Sequence, residues 1–318
     1  MRPFRFGLQA PRITDPDEWF AIAGRAERDG YSALLVPDHV GRLSTFPALM
    51  AAAGVTERIS LGTYVLNQDF RPPAVLAQEA STVQMLTDGR LSLGVGAGWA
   101  KHEYAQTGLQ FDPGAVRVAR FDEYLQVVKG LLSAREPYSF EGHWFQIREY
   151  PPLPHVERFG PPPILVGGGS RQVLSVAGRL ADSISVATRA TPDGLFDVSN
   201  MTVEAVENKL RWIREAAGDR YDQIELNMTI RELHVVDDRR AAATAILERW
   251  RGPGSRMARV DELSEDAILA SPYFAIGTVD QIVEQLSANR ERWGFSYIQV
   301  EGRDVEAFAP IKARLDGR

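Results

Sequence analysis

The chain has 318 residues, enough for one large α/β domain or two ordinary ones. Hydrophobic residues at 44% and charged residues at 25% fit a soluble globular protein with a substantial core, while a net charge of −6 argues against a nucleic-acid partner held by phosphate contacts. There is no cysteine, which excludes disulfides, thiolate metal sites and a cysteine nucleophile, and no stretch reaches the run of about 18 apolar residues that a membrane span needs. The N-terminus lacks the apolar core of a signal peptide, so the expectation is a cytoplasmic protein with no membrane partner.

In chain order, FRFGLQA (4–10) reads as a strand. A helix follows, with Asp15 as its cap, Pro16 in its first turn and Gly30 at its end. YSALLVP (31–37) is a second strand; a short helix then leads to a third, RISLGTYVL (58–66). A helix over 73–89 and the strand RLSLGVG (90–96) complete four strand–helix units. The rhythm breaks at a helix over 117–134, a small hairpin at YSFEGHWFQI (138–147) and the proline-rich PPLPHVERFGPPP (151–163). It resumes with the strand PPILVGG, a helix, the strand DSISVA, a helix over 202–218 and one long strand, QIELNMTIRELHVV (223–236). After a polar, mixed region come a helix over 278–294, the strand FSYIQVE (295–301) and a last helix near 304–316.

Eight β–α units in about 300 residues are what a (β/α)8 TIM barrel requires. Apolar strands such as ALLV and YIQV suit a parallel sheet covered by helices. A doubly wound sheet is the alternative that periodicity leaves open. The reading is one TIM-barrel domain over 1–318, with insertions around 100–163 and 237–275.

Active sites of such barrels gather at the C-terminal strand ends. Strand 2 ends in Pro37, Asp38 and His39, placing an acid and an imidazole there; an ordinary turn would also use these residues. Strand 1 ends near Gln9, and strand 3 brings Tyr64, Val65, Leu66 and Asn67 to the same rim. GVGAGW (94–99) and GGGS (167–170) are glycine-rich ends that either admit a ligand against the backbone or merely form tight corners. Gly167, Gly168, Gly169 and Ser170 directly precede a helix, whose N-terminus offers free N–H groups to a phosphate.

Standard signatures do not apply. Trp99 stands where a G-x-G-x-x-G fingerprint needs its last glycine, and there is neither a phosphate loop nor a G-x-S-x-G elbow. The histidines at 39, 102, 143, 155 and 234 form no close pair, so no metal site is expected, and His143 and His155 read as structural or solvated.

STVQMLTDGRLSLGVGAGWAKHEY (81–104) resembles the central signature of the luciferase-like monooxygenase superfamily, a helix, GR, a strand and GxGW…E. PDH after strand 2, TYVLNQDFRPPAVLAQEA, PPILVGGGSRQVLSVAGRLAD and AIGTVDQIVEQL fall where that superfamily has matching segments. The likeness is greatest to its oxidoreductases that use coenzyme F420, a deazaflavin, rather than FMN. The resemblance implies a homodimer acting on a small-molecule substrate, with a flavin-type ring in the barrel mouth. Asp38 and His39 would lie beside ring and substrate, with His39 moving the proton that accompanies hydride transfer and Asp38 orienting a group or tuning His39. Tyr64 and Val65 match a pair joined by a non-proline cis peptide in F420-dependent relatives, with Asn67 beside them. Gly96 and Gly98 would border the ring, and Gly167, Gly168, Gly169 and Ser170 the phosphate tail, with Arg171 near its polyglutamate. Trp99 replaces a glutamate acid of the F420-dependent sugar-phosphate dehydrogenases, which puts that particular activity in doubt. An FMN-dependent monooxygenase and a flavin-binding protein without turnover are the alternatives.

Overall fold

A computed structural model describes all residues, 1–318. Eight strands form its main sheet: β1 (Arg5–Gln9), β2 (Ala33–Val36), β3 (Ser60–Thr63, resumed at Leu66–Asn67), β4 (Leu91–Gly96), β5 (Ile164–Gly168), β6 (Ser183–Val186), β7 (Glu225–Thr229) and β8 (Phe295–Glu301). Their order is β3-β2-β1-β8-β7-β6-β5-β4, and β4 pairs again with β3, so the sheet closes into the expected (β/α)8 barrel. Closure uses Leu61↔Leu91 and Gly62↔Ser92 on one side of the break in β3 and Leu66↔Val95 and Asn67↔Gly96 on the other. The doubly wound alternative has no such closure.

The chain groups into two compact units, Arg12–Gly167 with Leu180–Asp182, and Met1–Pro11 with Gly168–Arg179 and Ser183–Arg318. In the first unit Asp15 caps α1 (Pro16–Arg28), accepting the Asp17 N–H at 2.8 Å, and Pro16 sits at the helix start where its missing N–H costs nothing. α1 buries Trp19, Ala23 and Ala26, while β2 is buried along its whole length. Each such large apolar side chain contributes about 1.5–3 kcal/mol on burial. α2 (Thr45–Ala53) and α3 (Pro73–Leu86) follow β2 and β3. Between β4 and β5 lie α4 (Lys101–Thr107), α5 (Gly114–Ser133) and the antiparallel hairpin Tyr138–Glu141/Gln146–Tyr150. His155 is fully buried there, with Nδ1 2.7 Å from Ser81 Oγ and Nε2 3.0 Å from the Leu132 carbonyl, a structural histidine as expected.

In the second unit α6 (Arg171–Leu180) follows β5, and α7 (Val203–Ala217) precedes β7. Thr278 and Gln281 form a reciprocal capping box on the helix Val279–Trp293 before β8. Three expectations need correction. The strand placed over 58–66 is broken at Tyr64–Val65, whose peptide bond is cis as the resemblance implied. The long strand over 223–236 ends at Thr229, and Glu232–Val235 instead pairs with Phe274–Gly277. The stretch read as a polar, mixed region contains the helix Arg239–Arg251 as well as that second strand. No helix is long and apolar enough to cross a membrane.

Candidate active site

In the first unit the C-terminal ends of β2, β3 and β4 converge. His39 Nδ1 lies 2.7 Å from Glu103 Oε1; the imidazole is one-third exposed, whereas the carboxylate, on the first turn of α4, is only 7% exposed. A carboxylate accepts from Nδ1–H, which fixes the neutral imidazole with its hydrogen on Nδ1 and leaves the Nε2 lone pair for an outside group. The Trp99 ring meets the His39 ring edge-on at 6.0 Å.

Asp38 points to other work. Its carboxylate accepts from the Asn67 N–H at 3.1 Å, the Thr45 hydroxyl at 3.3 Å and the Arg71 guanidinium at 2.9 Å. It therefore ties the end of β2 to the end of β3 and the approach to α3, and it does not pair with its neighbour His39. Asn67 Oδ1 accepts the Asp69 N–H at 3.1 Å. Tyr104 OH donates to Asp69 Oδ2 at 2.7 Å and lies 3.1 Å from Asn67 Oδ1. Burial, reinforced by the Asp69 carboxylate, pushes the Tyr104 phenol well above its ordinary range and keeps it protonated. Arg120 closes the network on Asp69 Oδ1 at 2.9 Å.

The glycines admit protein rather than leave a void. A Cβ on Gly98, at φ +73, would fall 1.9 Å from Tyr104 OH; one on Gly96 would fall 2.8 Å from Val65 Cγ2, and one on Gly167 3.3 Å from Val65 Cγ1. Tyr64 and Val65 are half-buried. In the second unit Gly168 makes room for Val173, and a Cβ on Gly169 would fall 2.5 Å from the Ala187 carbonyl oxygen. Ser170 Oγ accepts the Val173 N–H at 3.3 Å at the start of α6, whose other first-turn N–H groups have no intrahelical acceptor. Arg171, largely exposed, lies 3.7 Å from Glu215.

A family model described as luciferase-like monooxygenase matches residues 2–297. The chain belongs to the luciferase-like monooxygenase family. Within reach of this family member is the F420-dependent glucose-6-phosphate dehydrogenase of Nakamurella multipartita, 28% identical, with 97% of this chain and 94% of that one covered. The F420-dependent glucose-6-phosphate dehydrogenase of Kineococcus radiotolerans is 31% identical, covering 72% and 68%. The coenzyme F420-dependent tetrahydromethanopterin reductase of Methanopyrus kandleri superposes with a TM-score of 0.75, 18% identity and 99% and 98% coverage, a likeness of fold.

Reading this luciferase-like monooxygenase family sequence by itself brought out His39 but not its partner. Glu103 is the acid of the GxGW…E pattern, and the pattern, together with an imidazole in need of an orienting carboxylate, was the available signal. Asp69, Arg71 and Tyr104 lie inside the family-like segments but were not singled out there, and Arg120 lies outside them; packing brings the four together.

Proposed function

We propose that this chain is an F420-dependent oxidoreductase that transfers hydride between the deazaflavin and a small organic substrate, with the His39–Glu103 pair moving the accompanying proton. The cofactor reading is supported by the match along nearly the whole chain to a relative named F420-dependent, and the chemical reading by one observation, the 2.7 Å contact of a part-exposed His39 with a buried Glu103. The residues fit the group. In the second unit Gly168, Gly169 and Ser170 at the start of α6 offer N–H donors and the positive helix end suited to a phosphate; in the first, the half-buried Tyr64–Val65 segment, which Gly96 and Gly167 allow to pack closely, offers a surface suited to a flat ring.

Bound F420 supplies a carbon that accepts or gives hydride. The protein supplies the rest. Glu103 holds the His39 hydrogen on Nδ1 and stabilises the imidazolium, so Nε2 takes a proton from substrate in one direction and returns it in the other. Asp38 acts through position: with Arg71 and the Asn67 N–H it fixes the strand ends on which ring and substrate rest. Trp99 presents an apolar edge beside His39 where sugar-phosphate dehydrogenases carry an acid, so the substrate we assign is a small organic molecule rather than glucose 6-phosphate in particular. Action as a cytoplasmic homodimer belongs to the same proposal.

Fluorescence titration of the pure protein with F420 and with FMN tests the reading. F420 is expected to bind with a dissociation constant near or below 1 μM, about −8 kcal/mol, and FMN far more weakly. Tight FMN binding without F420 binding would move the assignment to the FMN-dependent monooxygenase alternative.

A further inference from the structure

Helix α7 carries a lysine, Lys209, with no exposed surface, in the second unit. Its ammonium donates to the Ala187 carbonyl at 3.0 Å, the Asn200 carbonyl at 2.8 Å and the Tyr273 hydroxyl at 3.0 Å. Tyr273 in turn donates its own hydroxyl hydrogen to the Val186 carbonyl at 3.0 Å. Two of the three acceptors are carbonyls and the third spends its hydrogen elsewhere, so all three bonds draw on the hydrogens of a charged ammonium. Burial pulls that ammonium down to about 7, while the Asp197 carboxylate pulls it up and Arg189 pushes it down.

A buried charge on a helix flank could simply hold a core together, yet a methionine would fill the same space without desolvating a cation. What distinguishes Lys209 is the address of its bonds. Val186 and Ala187 are the last residue of β6 and the one after it, and they form the wall against which the glycine turn is pressed. The Ala187 N–H donates to the Gly168 carbonyl at 2.8 Å, and Gly169 is so close that a Cβ there would fall 2.5 Å from the Ala187 oxygen, the same oxygen that Lys209 holds. Ser170 and α6 follow without a break.

We infer that Lys209 is a positioning residue for the Gly168–Ser170 turn, fixing through the Ala187 carbonyl the backbone donors that receive the cofactor's phosphate. This rests on the F420 reading above and adds to it a residue that never touches the cofactor. Lys209 removes the freedom of β6's exit, and the turn inherits that order because it packs on the exit with no side chain between.

The test compares two ligands that share a ring and differ in the phosphate and the polyglutamate tail it carries: F420 and its deazaflavin riboside, which lacks both, each titrated into wild type, Lys209→Met and Tyr273→Phe. Lys209→Met is expected to weaken F420 by about tenfold or more while changing riboside affinity less than about twofold, the loss of one hydrogen-bonded charge expressed only at the phosphate. Tyr273→Phe, which removes one acceptor and the bond to Val186, is expected to act in the same direction by a smaller factor, and it decides the matter alone should the methionine variant not fold. Both ligands weakened in parallel would make Lys209 a general structural residue and overturn the proposal, as would F420 affinity left intact. Wild type that binds the riboside as tightly as F420 removes the phosphate turn and this proposal together while the ring assignment stands. Wild type that binds neither overturns the proposed function itself.

Discussion

His39 has one ring nitrogen committed to Glu103 and one left over, and this division of labour determines what each substitution should do. His39→Asn is expected to lower turnover by about 10²–10⁴ with reduced F420 and an activated acceptor, the usual weight of general acid–base catalysis, with little change in F420 affinity. Glu103→Gln keeps the hydrogen bond but not the charge that steadies the imidazolium, and should cost about 10–10² in turnover. Equal turnover in all three proteins, measured by stopped-flow absorbance of the deazaflavin, would take the proton away from this pair. The proposed acid–base pair was half legible in the sequence. A strand end followed by Asp-His announced chemistry, but the adjacent carboxylate drew attention that belonged to one 64 residues further on. Neighbours in sequence on an extended segment point apart, and the partner of His39 is chosen by how α4 folds back over the rim, which no local pattern encodes.

Asp38 acts at the scale of elements. Bonds to Thr45, Asn67 and Arg71 join β2, β3 and two helices' beginnings through one largely buried carboxylate. Asp38→Asn should therefore lower unfolding free energy by about 1–3 kcal/mol in urea, the loss of a charged hydrogen-bond acceptor under buried donors. Unchanged stability with a large fall in turnover would place this carboxylate on the ring or substrate instead. Barrel strands were legible because they are short and mostly apolar and lead into helices. The break after Thr229 was not, since no glycine or proline marks it; the strand ends because Glu232–Val235 takes a different partner, Phe274–Gly277. The helix Arg239–Arg251 did carry a signal, with buried Ala243, Ile246, Leu247 and Trp250 at the spacing of one helical face. Four arginines in RRAAATAILERWR hid that stripe behind an overall polar composition.

For the molecule as a whole, a ligand that binds only the folded state raises its stability by mass action. F420 at a hundred times its dissociation constant should add about 2.7 kcal/mol and raise the melting temperature, while FMN at the same concentration leaves it in place. Calorimetry with an equal upward shift for both ligands would favour a flavin site without discrimination between them. The glycines around Val65 reach further than the site they border. Gly94, Gly96 and Gly167 each lie where a Cβ would come within 3.3 Å of a Val65 methyl group, and a Cβ on Gly94 would also fall 2.1 Å from the Thr63 carbonyl oxygen. Residues from three strands are thereby locked into one choice of sizes. A methyl group at 96 is tolerable only if position 65 shrinks or shifts, one at 167 asks Val65 to give by a few tenths of an ångström, and no shrinkage there relieves position 94, which faces backbone. The order of substitutions at 65 and 96 is therefore constrained. The hairpin Tyr138–Glu141/Gln146–Tyr150 that follows β4 takes no part in this lock, so its residues can change without disturbing the packing around Val65.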